Sequence, residues 1–427
     1  MRLKPTDLPI GHTADIDQDW LVLARNLRPL LDAAGPQIDA TQSLPSTVLD
    51  ALFSARMFRL LLPRSQGGAE LDLPTYFQVI CAIAEGDASA AWSVNQSNGC
   101  ALSAAYMDSD AASDVFGDPR AVLSWGFPAG ACVARQVEGG WRVTGNWGFG
   151  SGNRHSSWLG GHCQIQDHEG NAIRGVSGQP AERTALIRRQ DVDITPGSWK
   201  VLGLRGTGSD TYSVNELFVP ARYCIVPRAV APDLLAAEEG VATRAVDMAV
   251  TDPQSERRES GLLYRFSPTI VYQAGFAAVA LGLARAMLNS FISLANQKTS
   301  KSASTMLRDN AVIQEHVAVS QARLESMRIW LIDSLRRSWD GNMETGSHRF
   351  DDRINMRLAA TYAIREAARV AQDAYTDAGA TAIFESQPFE RRLRDMHAVT
   401  QQVQGHSIHL QTAGQHYLGM KVSSRFI

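Results

Sequence analysis

Phe384-Glu385-Ser386-Gln387-Pro388-Phe389-Glu390-Arg391-Arg392-Leu393-Arg394-Asp395-Met396-His397 is the stretch on which the reading of this chain turns. It offers a carboxylate at Glu385, a hydroxyl at Ser386 and an imidazole at His397. A catalytic base needs a lone pair at the reacting atom and a pKa near the working pH, and a serine hydroxyl has neither without an activating partner. Glu385 has the right chemistry, but on a helix it points roughly 100° away from its neighbour. An imidazole at His397 can exchange a proton near neutral pH.

Outward from this stretch the C-terminal part reads as helix, with periodic apolar residues over Thr269 to Asn296, Asn310 to Trp339, Asp351 to Ala380 and Arg391 to Tyr417. The apolar run Ala274 to Leu288 is interrupted by Arg285. It falls short of the roughly 20 residues that span a bilayer and reads as a buried helix. The N-terminal part is also helical, over Asp17 to Ala34 with a kink expected at Pro29, over Pro45 to Phe58, and over Leu73 to Glu85. After Asp118-Pro119 the pattern changes to short segments bounded by Gly, Pro and Asp: Val122 to Trp125, Ala131 to Val137, Trp141 to Thr144, Ser157 to Ile165, Thr184 to Arg188 and Tyr212 to Val219. Ala229 to Glu259 has little periodicity and reads as a linker or lid.

The expected architecture is mostly α with a central β domain. An N-terminal helical domain covers 1–118, a β domain 119–228, a linker or lid 229–262 and a C-terminal helical bundle 263–427. At 427 residues the chain is long enough to bury a cofactor and a substrate. With 41 basic and 44 acidic residues, for a net charge of −3, it has no positive field to draw it to nucleic acid. The five cysteines, Cys81, Cys100, Cys132, Cys163 and Cys224, lack any C-x-x-C pair, which points to a reducing cytoplasm rather than a disulfide framework or zinc site. The start, Met1-Arg2-Leu3-Lys4-Pro5-Thr6-Asp7, has no signal-peptide core, and neither a membrane nor nucleic acid is expected as a partner. His406, His409 and His416 invite a zinc reading, but no Cys or Glu completes a familiar spacing, so no metal is expected.

The order of helix block, β block and helix bundle resembles the acyl-CoA dehydrogenase fold. Pro388 and Arg394-Asp395 register with its closing active-site segment, and the position of its glutamate base then falls on Ser386. Four further anchors occur in the family's order: Leu62-Pro63 with Gly67-Gly68, Ser124 to Gly130, Trp147 to Gly152, and Gly203 to Ser209 leading to Leu217-Phe218-Val219-Pro220. Phe149-x-Ser151-Gly152 followed by Trp158, the Trp199 to Ser209 run, and Arg394-Asp395-x-His397 resemble one branch, the reduced-flavin monooxygenases similar to 4-hydroxyphenylacetate hydroxylase, the secosteroid phenol hydroxylase and dibenzothiophene monooxygenase.

That resemblance implies the oxygenase component of a two-component system. A separate NAD(P)H-flavin reductase supplies reduced FMN or FADH2, O2 forms a C4a-hydroperoxyflavin, and an oxygen atom passes to a small aromatic or heteroaromatic substrate. It implies catalytic roles for His397, Ser151 and Asn95, and cofactor contacts from Trp125, Phe149, Ser151, Gly152, Arg205 and Ser209. Each has a plainer alternative: a strand-end serine, a surface histidine, core aromatics, turn glycines. Asn95, Ser97 and Asn98 stand where this branch presents polar groups, often with a histidine, and none occurs there. Gln297-Lys298-Thr299 stands where the dehydrogenases carry an Arg-containing motif that helps hold the FAD diphosphate, which favours FMN, or a weakly held flavin, over tightly bound FAD. A homotetramer, a dimer of dimers, is implied by the family's bundle. Rival readings are an acyl-CoA dehydrogenase whose base has moved to Glu366 or Asp377, and a non-catalytic flavin-binding scaffold.

Overall fold

Capping and close packing set the helices of the N-terminal block. In the computed structural model, which describes residues 19–174, 179–225, 257–299, 305–345, 349–420 and 422, α1 runs Trp20–Thr41 and α2 Ser46–Ser54, followed by α3 Leu73–Gly86, α4 Ala88–Ala101 and α5 Ser109–Phe116. Asp19, Asp72 and Asp87 cap α1, α3 and α4 by accepting from backbone N–H groups of the first turn, which satisfies donors that a helix leaves unpaired. The small-residue run after Gly86, which shows no clear period, is the start of α4: small side chains let it pack on several sides at once, and nearly all of it is buried. The expected helix to Phe58 stops at Ser54, and Met57–Arg59 forms a 3-10 turn instead.

The β block is one mixed sheet. Among the described residues its strands are β1 Leu123–Trp125, β2 Phe127–Pro128, β3 Val133–Val137, β4 Gly140–Gly148, β5 Trp158–Gln166, β6 Glu182–Arg188, β7 Asp193–Ile194, β8 Tyr212–Pro220 and β9 Cys224–Ile225. The order is β7-β8-β4-β3-β5-β6-β9, with β1 parallel to β5 and β2 antiparallel to β4. β4 runs four residues beyond the expected Thr144, because Gly145 and Gly161 leave room for the buried Trp147 ring, whose Nε1 donates to the His162 carbonyl at 3.0 Å.

The C-terminal block comprises α6 Pro268–Ala295, α7 Ala311–Thr345, α8 Phe350–Ala378, α9 Phe389–Thr400 and α10 Ile408–Tyr417. By length and composition α6 suffices to cross a membrane, but it is the core helix here, with two thirds of its apolar window buried. It packs on α3, α4 and α8. The single helix expected over Arg391 to Tyr417 is two helices. The chain leaves α9 at Gln401, and a 3-10 turn over Val403–Gly405 follows, where the Gln404 carbonyl accepts from the Thr361 hydroxyl at 2.9 Å. Glu385 and Ser386 lie on an exposed turn before α9, not on a helix. The linker expected at Ala229 to Glu259 falls almost wholly in 226–256, outside the described residues.

Candidate active site

The site grows from the end of β4. Phe149 has φ 58° and Gly152 φ 85°, so the chain turns sharply and sends Phe149 outward, 64% exposed, while Ser151 goes inward, 7% exposed. A non-glycine residue in the left-handed region costs about 1–3 kcal/mol, and such strain persists where surrounding contacts hold it. Those contacts are present. Gly152 N–H donates to the Thr207 carbonyl at 2.9 Å, the Asn153 amide to the Asp210 carbonyl at 2.7 Å, and Arg154 pairs with Asp210 at 2.6 Å. The loop after β4 is thus sewn to the loop before β8.

Ser151 sits between two partners, accepting from Trp92 Nε1 of α4 at 3.1 Å and lying 2.8 Å from the Ser209 hydroxyl. Around it aromatic rings remain open to solvent. Phe127, paired opposite Gly148, is 67% exposed, and Trp199 stands edge-on to Phe149 at 5.8 Å. Trp125 packs over Gly160, and Gly126 N–H donates to the Tyr212 hydroxyl at 2.9 Å, which fixes the junction between β1, carrying Trp125, and β2, carrying Phe127. A Cβ at Gly126 would strike the Gly148 carbonyl, so only glycine allows this approach.

A second wall comes from α4 and α6. Trp92 packs on Phe276 at 4.2 Å, and Phe276 stacks on Tyr272 at 5.9 Å. The Tyr272 hydroxyl is 3.5 Å from the Gln96 amide and 3.8 Å from Cys100 Sγ, and the Trp125 side chain reaches it as well. Burial, then the neighbouring Cys100, holds the Tyr272 phenol well above its ordinary range, and burial pushes the Cys100 thiol up to about 12. Both groups are therefore neutral at physiological pH.

The other expected site residues are spread more widely. Asn95 is fully buried between α4 and α6, where its Oδ1 accepts from the Tyr76 hydroxyl at 2.7 Å and abuts Gly275. Arg205 turns to Asp39, at 3.4 Å, and shares that carboxylate with Arg394 at 3.0 Å. His397 is exposed on α9, two residues past Asp395, whose Oδ1 accepts from Leu204 N–H at 2.6 Å. The displaced bases considered for a dehydrogenase are occupied: Glu366 pairs with Arg323 and Arg369, and Asp377 with His316 at 3.0 Å. His409 Nε2 donates to the Val403 carbonyl at 2.8 Å and His416 pairs with Asp351 at 3.0 Å.

An isoalloxazine requires apolar faces, a polar edge and a backbone that approaches closely. Phe127, Phe149, Trp125 and Trp199 supply the first, Ser151 the second and the glycines at 126, 148, 150 and 152 the third. The residues fit a flavin. Trp92, Tyr272, Gln96 and Thr207 join this region without a sequence signal of their own, apart from a lone Trp at the end of a small-residue run.

The fold has counterparts among known proteins. Residues 274–407 match the family described as acyl-CoA dehydrogenase, C-terminal domain. The chain is 26% identical over 388 residues to an indole-3-acetate monooxygenase of Pseudomonas putida, covering 90% of this chain and 89% of that protein. It is 25% identical over 376 residues to the flavin-dependent monooxygenase oxygenase subunit HsaA of Rhodococcus jostii, covering 87% and 91%. The structure of XiaF from Streptomyces, in complex with FADH2 and glycerol, superposes with a TM-score of 0.80 at 20% identity, covering 94% of this chain and 96% of that one, and shows the same fold.

Residues 274–407 thus resemble the acyl-CoA dehydrogenase C-terminal domain, and the chain has the fold of the acyl-CoA dehydrogenase-like monooxygenases. The named relatives are flavin-dependent monooxygenases and oxygenase subunits, which supports an oxidoreductase acting as an oxygenase component.

Proposed function

We propose that this chain takes reduced flavin from a separate NAD(P)H-dependent reductase and uses O2 to hydroxylate a small aromatic or heteroatom-containing molecule. Reduced flavin, when bound, supplies the electrons that activate O2. The observation that carries the reading is the Ser151 hydroxyl, held by Trp92 and Ser209 two residues beyond the exposed Phe149, whose ring stands against Trp199. Ser151 would meet the flavin edge at N5, and the rings would exclude water from the face where oxygen reacts. Tyr272 and Gln96 would orient a polar substituent of the substrate, and Phe276 and Trp92 its apolar body. His397 is proposed to exchange the substrate or water proton.

The name oxygenase subunit borne by the Rhodococcus relative supports a two-component system. FMN is favoured over FAD because Lys298, in the segment that lacks the Arg motif, is already bound to the Ala378 carbonyl and the Thr381 hydroxyl, each at 2.8 Å. The proposal includes the divisions at 118, 228 and 262, a homotetramer built on the C-terminal helices, and a cytoplasmic location.

Anaerobic titration with reduced and oxidised FMN and FAD, followed by mixing with oxygenated buffer, tests the reading. Tighter binding of reduced flavin and an oxygen-dependent absorbance transient absent from free flavin are expected. Tightly held oxidised FAD that is bleached by an acyl-CoA thioester would overturn it.

A further inference from the structure

Three hydroxyls form an unbroken line away from the site. Ser151 Oγ lies 2.8 Å from Ser209 Oγ, Ser209 Oγ lies 2.7 Å from Thr207 Oγ1, and Thr207 Oγ1 donates to the Leu204 carbonyl at 2.8 Å. The line is closed off from water: Ser151 is 7% exposed and Ser209 and Thr207 each 2%. At its outer end Trp92 Nε1 can only donate, and it does so to Ser151. At its inner end a carbonyl can only accept.

Each hydroxyl has one hydrogen to give, so the two ends set the direction. With Thr207 giving its hydrogen to Leu204, Ser209 donates to Thr207 and Ser151 donates to Ser209. All four bonds of the line, including the one from Trp92, are then made. The reverse direction, in which Ser209 donates to Ser151, leaves the Ser151 hydrogen without an acceptor and releases the Leu204 carbonyl from Thr207. It makes three bonds in place of four. In the favoured direction Ser151 faces the site with a lone pair.

We infer that Thr207 and Ser209 are positioning residues that hold Ser151 as a hydrogen-bond acceptor and so make the site select reduced over oxidised flavin. The inference rests on the function proposed above, with Ser151 at flavin N5. That nitrogen carries a hydrogen in the reduced ring and a bare lone pair in the oxidised one. A reduced ring adds a fifth bond to the line as it stands. An oxidised ring needs the Ser151 hydrogen, which must leave Ser209, so its bond to Ser151 only restores the four present without it. The difference is one hydrogen bond. A bond of this kind contributes about 0.5–1.5 kcal/mol net, which corresponds to a selection of roughly three- to tenfold.

The test is the ratio of dissociation constants for oxidised and reduced FMN, measured anaerobically on the full chain for wild type, Ser209→Ala, Thr207→Val and Thr207→Ser. In Ser209→Ala the Ser151 hydrogen is free to turn outward, so oxidised FMN binds better relative to reduced FMN and the ratio contracts about three- to tenfold. Thr207→Val removes the inner hydroxyl and contracts the ratio in the same sense. Thr207→Ser keeps the hydroxyl and restores the wild-type ratio. A loosened loop would weaken both redox forms alike. A ratio unchanged within about twofold in Ser209→Ala and Thr207→Val, with flavin still bound, overturns the inference and leaves the proposed function standing. Wild-type protein that binds neither form of FMN or FAD overturns both.

Discussion

The backbone of Leu204 is gripped from two sides by networks of opposite character. Its N–H donates to Asp395, one end of a buried cluster in which Arg391 meets Asp87 at 2.9 Å and Asp395 at 3.8 Å. Its carbonyl accepts from Thr207 and, at 3.2 Å, from Trp199 Nε1, the inner end of the hydroxyl line. The ionic side joins α9 to the cap of α4, across 304 residues of sequence in the Arg391–Asp87 pair, and holds the blocks together. The hydroxyl side carries no charge and reaches the site. Charges out of water are costly to leave unpaired, whereas hydroxyls are cheap to rotate. Anchoring is therefore assigned to the first and adjustable donor–acceptor chemistry to the second.

The largest effect should come from the ionic side. Arg391→Met leaves Asp87 and Asp395 buried without their shared cation and should lower stability by about 3–5 kcal/mol, read from urea unfolding followed by circular dichroism. Ser209→Ala in the same assay removes two neutral hydrogen bonds and should cost about 1–3 kcal/mol. A greater loss from Ser209→Ala than from Arg391→Met would break the comparison outright.

Between these extremes lies the packing that brings α9 to the loop. A Cβ at Gly203 would overlap the Arg394 backbone carbonyl, which cannot swing aside as a flexible side chain does. Gly203→Ala should cost about 1–3 kcal/mol through overpacking and should also weaken flavin binding, because it displaces Leu204. Loss of stability with unchanged flavin affinity would show that the two grips on Leu204 are independent.

The pH dependence separates the two sides more finely. Burial, then the nearby Asp87 carboxylate, raises the Asp395 carboxyl to about 7. A folded pKa above the unfolded value of an aspartate means the folded state holds the proton more tightly, so stability is fully present below about pH 4 and is lost as pH rises toward about 7. Asp395→Asn should flatten that slope while keeping an acceptor for Leu204 N–H. On the acid side, burial lowers His155 and His162 to about 4, so their contribution is present above about 6.5 and lost as pH falls through about 4. The hydroxyl line has nothing that titrates in this range, and the flavin redox ratio should stay level between pH 5 and 7 in the Asp395→Asn protein.

The two networks also differ in how far they could be read from the chain. Strands β1, β3, β5, β6 and β8 are legible because their alternation is bounded by Gly, Pro and Asp, and the long periods of α6, α7 and α8 are equally plain. Of the residues placed in the site by resemblance, Ser151 and Ser209 meet in space, and Phe149 stands against Trp199. Arg205 and Asn95 turn to Asp39 and Tyr76 instead, since an arginine beside glycines looks the same whether it meets a ligand or, as here, a carboxylate. The hydroxyl line escapes notice because Ser151 and Ser209 are 58 residues apart and only the crossing of two loops makes them neighbours. The break between α9 and α10 escapes for a related reason, because it depends on Gln404 reaching the distant Thr361.

The smallest expected effect is at the outer end of the line. Trp92→Phe removes the one donor that Nε1 offers to Ser151 while keeping a ring to pack on Phe276, now 4.2 Å away. Loss of a single neutral hydrogen bond should cost about 0.5–1.5 kcal/mol in stability. The line still ends on the Leu204 carbonyl, so its direction is unchanged and Ser151 remains an acceptor, now with a lone pair freed. The oxidised-to-reduced ratio for FMN should therefore hold within about twofold in Trp92→Phe, where Ser209→Ala contracts it. If Trp92→Phe contracts the ratio as much as Ser209→Ala does, the direction is set from the α4 side and the division of labour at Leu204 must be redrawn.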